Sequence, residues 1–140
     1  MTIAIRQTSA TDTDVFDRVA ADVFDEPVNP ARLKAYLAEP SHLMLVAITD
    51  GLVIGQCAAV IHRHPDKVTE LYIDEVGVTP AFQRQGIARR LLDEMFALGK
   101  SLGCEEAWVG TELDNEPARG LYRARKPGTE EPFVVYVYDL

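Results

Sequence analysis

The stretch that decides the fold runs from Leu71 to Leu92, LYIDEVGVTPAFQRQGIARRLL. It reads as a β-strand, a turn at Thr79-Pro80, a loop of amides and guanidinium groups, and a helix opening near Gly86. The first turn of that helix carries no acidic side chain. Backbone N–H groups at a helix start lack intrahelical partners, and the aligned peptide dipoles place roughly half a positive charge there. A small, Gly-containing loop delivered to such a terminus is a place for phosphate.

The strand carries a second signal. Leu71 and Ile73 are apolar on one parity, Val76 and Val78 on the other, and strict alternation cannot turn all four to one face. One extra residue near Asp74-Glu75 restores the phase, which is what a β-bulge does. The bulge splays the strand from its neighbour and sets two carboxylates at the lip of the resulting cleft. A strand buried on both faces, without a bulge, is the plainer alternative.

Outward from there, Ile3 to Thr8 alternates as a half-buried first strand. Ser9, Thr11 and Asp12 offer N-caps for a helix carrying Val15, Phe16, Val19, Ala20 and Val23 and ending near Phe24. Asn29-Pro30 starts a second helix with Leu33, Tyr36 and Leu37 on one face, closed by Pro40. Two apolar runs, His42 to Ile48 and Leu52 to Ile61, meet at Asp50-Gly51, a hairpin signal. His62 and His64 flank the turn HRHPDK rather than sharing a face, so no metal site is expected. The helix from Gly86 turns Ile87, Leu91, Leu92, Met95, Phe96 and Leu98 inward, with Gly103 as its C′ residue. A short strand surrounds Trp108, Asn115 caps a further helix, and Phe133 to Tyr138 reads as a final strand.

These elements make one α/β domain over residues 1–140, with an antiparallel first half and a parallel pair spanning Leu71 to Thr111. The formal charge of −8, with 47% hydrophobic residues, speaks against nucleic acid and anionic membranes and suits a cationic small molecule or peptide; simple solubility explains it too. No apolar run approaches the ~20 residues of a membrane span. A cytoplasmic protein with buried, reduced Cys57 and Cys104 is the expectation.

Gln83-Arg84-Gln85-Gly86-Ile87-Ala88 resembles the acyl-CoA signature [QR]-x-x-G-x-[GA] of the GNAT N-acyltransferase superfamily. Asn115, Ala118, Leu121 and Tyr122 resemble that superfamily's second block, N-x-x-A-x-x-L-Y, so the resemblance spans nearly the whole chain. The flanking sequences are most similar to aminoglycoside 3-N-acetyltransferases of the gentamicin-modifying type. One departure is that Lys126-Pro127-Gly128-Thr129 stands where Gly-Phe usually follows the tyrosine helix.

The resemblance implies a GNAT fold: a central mixed, mostly antiparallel, twisted sheet with a β-bulge in the fourth strand, flanked by helices. It implies acetyl-CoA as co-substrate and no metal. The pyrophosphate would rest on Gln83, Arg84, Gln85, Gly86, Ile87 and Ala88, and the pantetheine arm on the main chain of Val76 and Val78, with Asn115 nearby. Glu75 or Asp74 would take the amine proton, and Tyr122 would be the general acid. Asp25, Glu26, Glu112 and Asp139, with Asp22 and Asp114 in neighbouring loops, would face a cationic amine. The expected reaction is acetylation of an aminoglycoside at the 3-N position. A polyamine, a peptide or protein amine, and a non-catalytic acyl-CoA-binding module are the alternatives, and a homodimer is left open.

Overall fold

Asp50 and Gly51 both take positive φ, 48° and 74°, closing a two-residue turn of the type that matches strand twist. Around it, β2 (His42–Thr49) and β3 (Leu52–His62) pair antiparallel. In this computed structural model, which describes residues 2–140, they form the middle of a five-stranded sheet ordered β1-β2-β3-β4-β5, with β1 at Ala4–Gln7, β4 at Glu70–Val78 and β5 at Glu106–Val109. The pairs β1·β2 and β3·β4 are antiparallel and β4·β5 is parallel, so the sheet is mixed and mostly antiparallel, as expected.

Helix α2 (Ile87–Ser101) covers one face, burying Ile87, Leu91, Leu92 and Met95. It lies so close to β4 that a Cβ added at Gly99 would come within 2.6 Å of the Leu71 side chain. Leu102 caps it and Gly103 follows at φ 95°, the left-handed position that glycine takes without strain. The other face buries Phe16, Val23, Leu37, Met44, Val46, Val53 and Ala58 beneath helix α1 (Pro30–Ala38) and the segment before it. Asn29 caps α1 through the Arg32 amide at 3.0 Å.

Two expectations are corrected. The helix anticipated up to Phe24 is only a 3-10 turn, Thr13–Asp17. Beyond it the backbone joins the sheet: Val19 bridges Val53, the Ala20 amide donates to the Val53 carbonyl at 2.9 Å, and the Val53 amide donates to Arg18 at 2.9 Å. Donors used in this way cannot close helical turns, although Phe16 and Val23 are buried as their spacing implies. Second, Phe133 to Tyr138 forms no strand. A strand needs a partner for its main chain, and this segment has none among the described residues; its side chains stand 61–86% exposed.

The chain divides into two compact units, one ending at Gly110 and one spanning Thr111–Leu140. In the second, α3 (Glu116–Arg123) starts at Asn115, whose side chain accepts from the Ala118 amide at 3.2 Å. Arg123 grips Glu130 through two hydrogen bonds of 2.7 and 2.9 Å. These hydrogen bonds first, and then the charges of Arg123 and Arg119, hold the Glu130 carboxyl below its ordinary pKa.

Candidate active site

The phase slip in β4 is a real bulge. Ala58 pairs with Glu75 and Ala59 with Ile73, so Asp74 is the extra residue. The insertion lets Leu71 and Ile73 before it, and Val76 and Val78 after it, share the face toward α2. Glu75 then turns to the opposite face with Ala58, among the buried residues under α1. Asp74, the bulged residue, is exposed, whereas Glu75 is half-buried.

The same segment ends its pairing with β5. The parallel ladder runs from Glu70 with Glu106 to Ile73 with Val109 and stops there. From Asp74 to Val78 that edge of β4 has no strand neighbour among the described residues. One main-chain acceptor expected to be open is taken, however: Gln83 Nε2 donates to the Val78 carbonyl at 2.9 Å.

The loop 22–26 sits over the bulge. A Cβ on Gly77 would fall 2.4 Å from the Val23 carbonyl oxygen, so only glycine allows this approach. The same carbonyl accepts from the buried Gln56 Nε2 at 3.2 Å. Asp25 is thereby held near Glu75. Burial first, then the charges of Asp25 and Asp74, push the Glu75 carboxyl above its ordinary pKa. A carboxylate so placed takes up a proton more readily than an ordinary one, as a proton acceptor must. Asp22, Asp25 and Glu26 are all exposed.

Tyr36 was legible only as part of an inward helix face, yet it lies close enough to feel both acids. Its hydroxyl donates to the Leu43 carbonyl at 2.8 Å. Burial foremost, and then the Asp74 charge, keep that hydroxyl protonated well above the usual tyrosine range. Cys57, paired with Val76, has its thiol pushed up to about 12 by burial, so it is no nucleophile.

Past the Thr79-Pro80 turn, the loop reaches α2 through Arg84 (φ 63°) and Gly86 (φ 78°). Left-handed residues interleaved with ordinary ones make the backbone concavities that hold anions. Gly86 is the helix N-cap and supplies no side-chain cap, and the first turn has no acid. A Cβ at Gly86 would meet nothing within 4 Å, so the space before the helix is open. Ile87 is buried and Ala88 half-buried, anchoring the terminus, while Gln83, Arg84, Gln85 and Arg89 are exposed. Arg90 is committed elsewhere, donating to the Ile3 carbonyl at 3.2 Å.

The first unit thus gathers Asp74, Glu75 and Asp25 at the bulge. Glu112, Asn115, Tyr122 and Asp139 belong to the second unit. There Tyr122 is half-buried on α3, Asn115 is the helix cap, Thr111 Oγ1 donates to Glu112 at 3.4 Å, and Asp139 is exposed.

The model of the acetyltransferase (GNAT) family matches residues 11–125. The chain is 34% identical over 104 residues to N-alpha-acetyltransferase RimI of Mycobacterium tuberculosis, a match covering 73% of this chain and 62% of that protein. It spans about three fifths of the length of the mycobacterial relatives it matches. Among solved structures, an aminoglycoside acetyltransferase from an uncultured soil metagenomic sample superposes with a TM-score of 0.83 at 22% identity, covering 99% of this chain and 96% of that one. AAC(6')-Iy, solved with the bisubstrate analog CoA-S-monomethyl-acetylneamine, gives 0.81 at 21% identity with full coverage of both chains. Both have the fold of this chain.

Proposed function

The chain belongs to the acetyltransferase (GNAT) family, and from that premise we propose that it transfers the acetyl group of acetyl-CoA directly to a primary amine of an aminoglycoside. The observation that carries this reading is the bulge. It places Glu75 beside Asp25 next to an unpaired stretch of β4, on the strand that leads to the bare N-terminus of α2.

In this reading the pyrophosphate lies on the backbone N–H groups from Arg84 to Ala88, and the pantetheine arm lies along Val76 to Val78 as a pseudo-strand. The amine arrives as an ammonium and has no lone pair until it loses a proton. Glu75, the more buried of the two candidates, accepts that proton, directly or through water. Asp74 raises its proton affinity and offers the arriving cation a second charge. The amine nitrogen then bonds to the thioester carbon, and an N–H near Val76 stabilises the oxyanion. On collapse the C–S bond breaks and the CoA thiolate takes a proton from Tyr122, a role resting on the likeness of its helix to the family's second block. Asp25 and Glu26 attract the polycation, each exposed pair contributing about 0.2–1 kcal/mol; for Glu112 and Asp139 the same role rests on the resemblance alone. The transfer itself uses no metal.

The 3-N position finds no support among the compared proteins; those whose names give an aminoglycoside position are 6' enzymes, which favours the 6' amine. A second reading is favoured by the relative named N-alpha-acetyltransferase: acetylation of a peptide α-amine. Thiol release from acetyl-CoA, measured against aminoglycosides, polyamines and peptides, separates them. Turnover of a peptide but of no aminoglycoside overturns the leading reading, and turnover of nothing leaves a binding module.

The exposed arm, with Phe133, Val135 and Val137 at 61%, 67% and 86% exposure, supports a homodimer in which this strand-forming segment finds a partner on a second copy. Sedimentation of the full chain beside one lacking residues 133–140 tests it. The dimer is expected only with the arm present, and a monomeric full chain contradicts it.

A further inference from the structure

The β3–β4 hairpin closes at the end away from the bulge, with a loop carrying two histidines. His62, the last residue of β3, is paired across the ladder with Glu70, the first of β4. Residues directly opposite each other share a face, with Cβ atoms about 4.5–5.5 Å apart. His64 lies two residues farther on, and the loop folds it back. Its ring centroid is 4.2 Å from that of His62, and its Nε2 meets the Glu70 carboxylate. One ligand atom from each of His62, His64 and Glu70 lies within 4.8 Å of the other two, the only such trio among the described residues.

An ion pair between His64 and Glu70 accounts for two of these groups but not for the third. The His62 ring is not needed for that pair, yet it is turned in against His64 with one of its nitrogens close to both partners. Glu70 also faces Glu106 across the β4–β5 ladder, so a further carboxylate stands near with its charge uncompensated by this pair. Two imidazoles and a carboxylate converging on one point are instead the donor set of a metal ion.

We propose that His62, His64 and Glu70 form a binding site for a divalent transition-metal ion of the zinc class, which staples the closed end of the β3–β4 hairpin. Two imidazole nitrogens suit zinc and its neighbours in the first transition series, whereas calcium and magnesium take oxygen ligands. Zinc bonds of about 2.1 Å in a tetrahedral array set ligand atoms about 3.4 Å apart. The three ligand atoms, all within 4.8 Å of one another, bracket that spacing, and His62, on the exposed surface, has room to adjust. The fourth position is left to solvent. The site lies at the opposite end of β4 from Glu75 and does not depend on the proposed acetyl transfer.

The test uses the untagged 140-residue chain, stripped of metal and titrated with zinc chloride by calorimetry, with cobalt absorption as a second readout. One saturable equivalent is expected, with a rise in thermal midpoint. Loss of even an outer-shell partner costs a metal site about 10–100-fold in affinity, so His62→Ala and His64→Ala should each weaken binding by at least tenfold. His62 lies on the surface, so His62→Ala folds and keeps the test informative if His64→Ala does not. Cys104→Ser should bind as the parent does. Absence of saturable binding, binding untouched by His62→Ala, or binding lost in Cys104→Ser overturns the proposal.

Discussion

Gly77 is the position where one methyl group tests how the bulge and its covering loop are joined. A Cβ there would sit 2.4 Å from the Val23 carbonyl oxygen, about 0.6 Å inside the 3.0 Å that real Cβ contacts respect. The opposing atom is backbone, so the loop 22–26 must move. Overpacking of this kind costs about 1–3 kcal/mol. Moving the Val23 carbonyl also takes from Gln56 Nε2 its acceptor, and the other amide atom, Oε1, is buried without a partner. An orphaned buried amide adds about 1–3 kcal/mol. Gly77→Ala is therefore expected to lose about 2–6 kcal/mol in urea unfolding, and to raise KM for the amine more than KM for acetyl-CoA, because Asp25 and Glu26 travel with the loop. Gly120→Ala is the control: a Cβ there meets nothing within 4 Å, and in helix α3 it should be neutral or slightly stabilising. If Gly77→Ala unfolds within about 0.5 kcal/mol of the parent, the close approach is not what holds the loop.

Further predictions concern the chemistry and its trace in the stability. Glu75 works as a base when ionised, and its pKa is raised above 4.5, so kcat/KM should climb with pH through a midpoint above that value; Glu75→Gln should abolish the climb and lower kcat by about 10²–10⁴. Asp25→Asn removes a like charge and should move that midpoint to lower pH; an unmoved midpoint detaches Asp25 from Glu75. The raised pKa also means the folded state holds the proton more tightly than the unfolded chain. Glu75's contribution to stability is thus present at low pH and lost as pH rises through its folded-state value, and Glu75→Gln should flatten that part of the stability profile. Tyr122→Phe should lower kcat with little change in acetyl-CoA affinity, and an unchanged single-turnover rate would remove Tyr122 from the mechanism.

The bulge was legible because side-chain alternation is a strict period of two, and Leu71, Ile73, Val76 and Val78 break it at one place. The bare start of α2 was legible because capping and charge are local properties of Gly86 to Arg90. What escaped depended on distant partners. The segment after Thr13 has helical spacing, but the Val53 backbone claims its donors, and no local pattern reports that. Phe133 to Tyr138 has every strand-forming side chain and no ladder to join within the described residues. Tyr36 and His64 are the same lesson at the level of sites. One reads as a core tyrosine and the other as a turn histidine until the fold brings Asp74 to the first and Glu70 to the second. The backbone shape of the loop before α2, which we propose holds phosphate, needed no such information, since its signals lie within six residues.

The central claim is that the open backbone before α2 holds the pyrophosphate of acetyl-CoA, and calorimetric titration of acetyl-CoA into the parent chain and into Gly86→Ala tests it most directly. Gly86 sits at φ 78° with nothing within 4 Å of its missing Cβ. Alanine there costs about 1–2 kcal/mol of backbone strain and puts a methyl group where the phosphate belongs. The account predicts one saturable equivalent for the parent, and binding weakened by about tenfold or more in Gly86→Ala, about 1.4 kcal/mol. No saturable binding to the parent, or equal affinity in the two proteins, would contradict it.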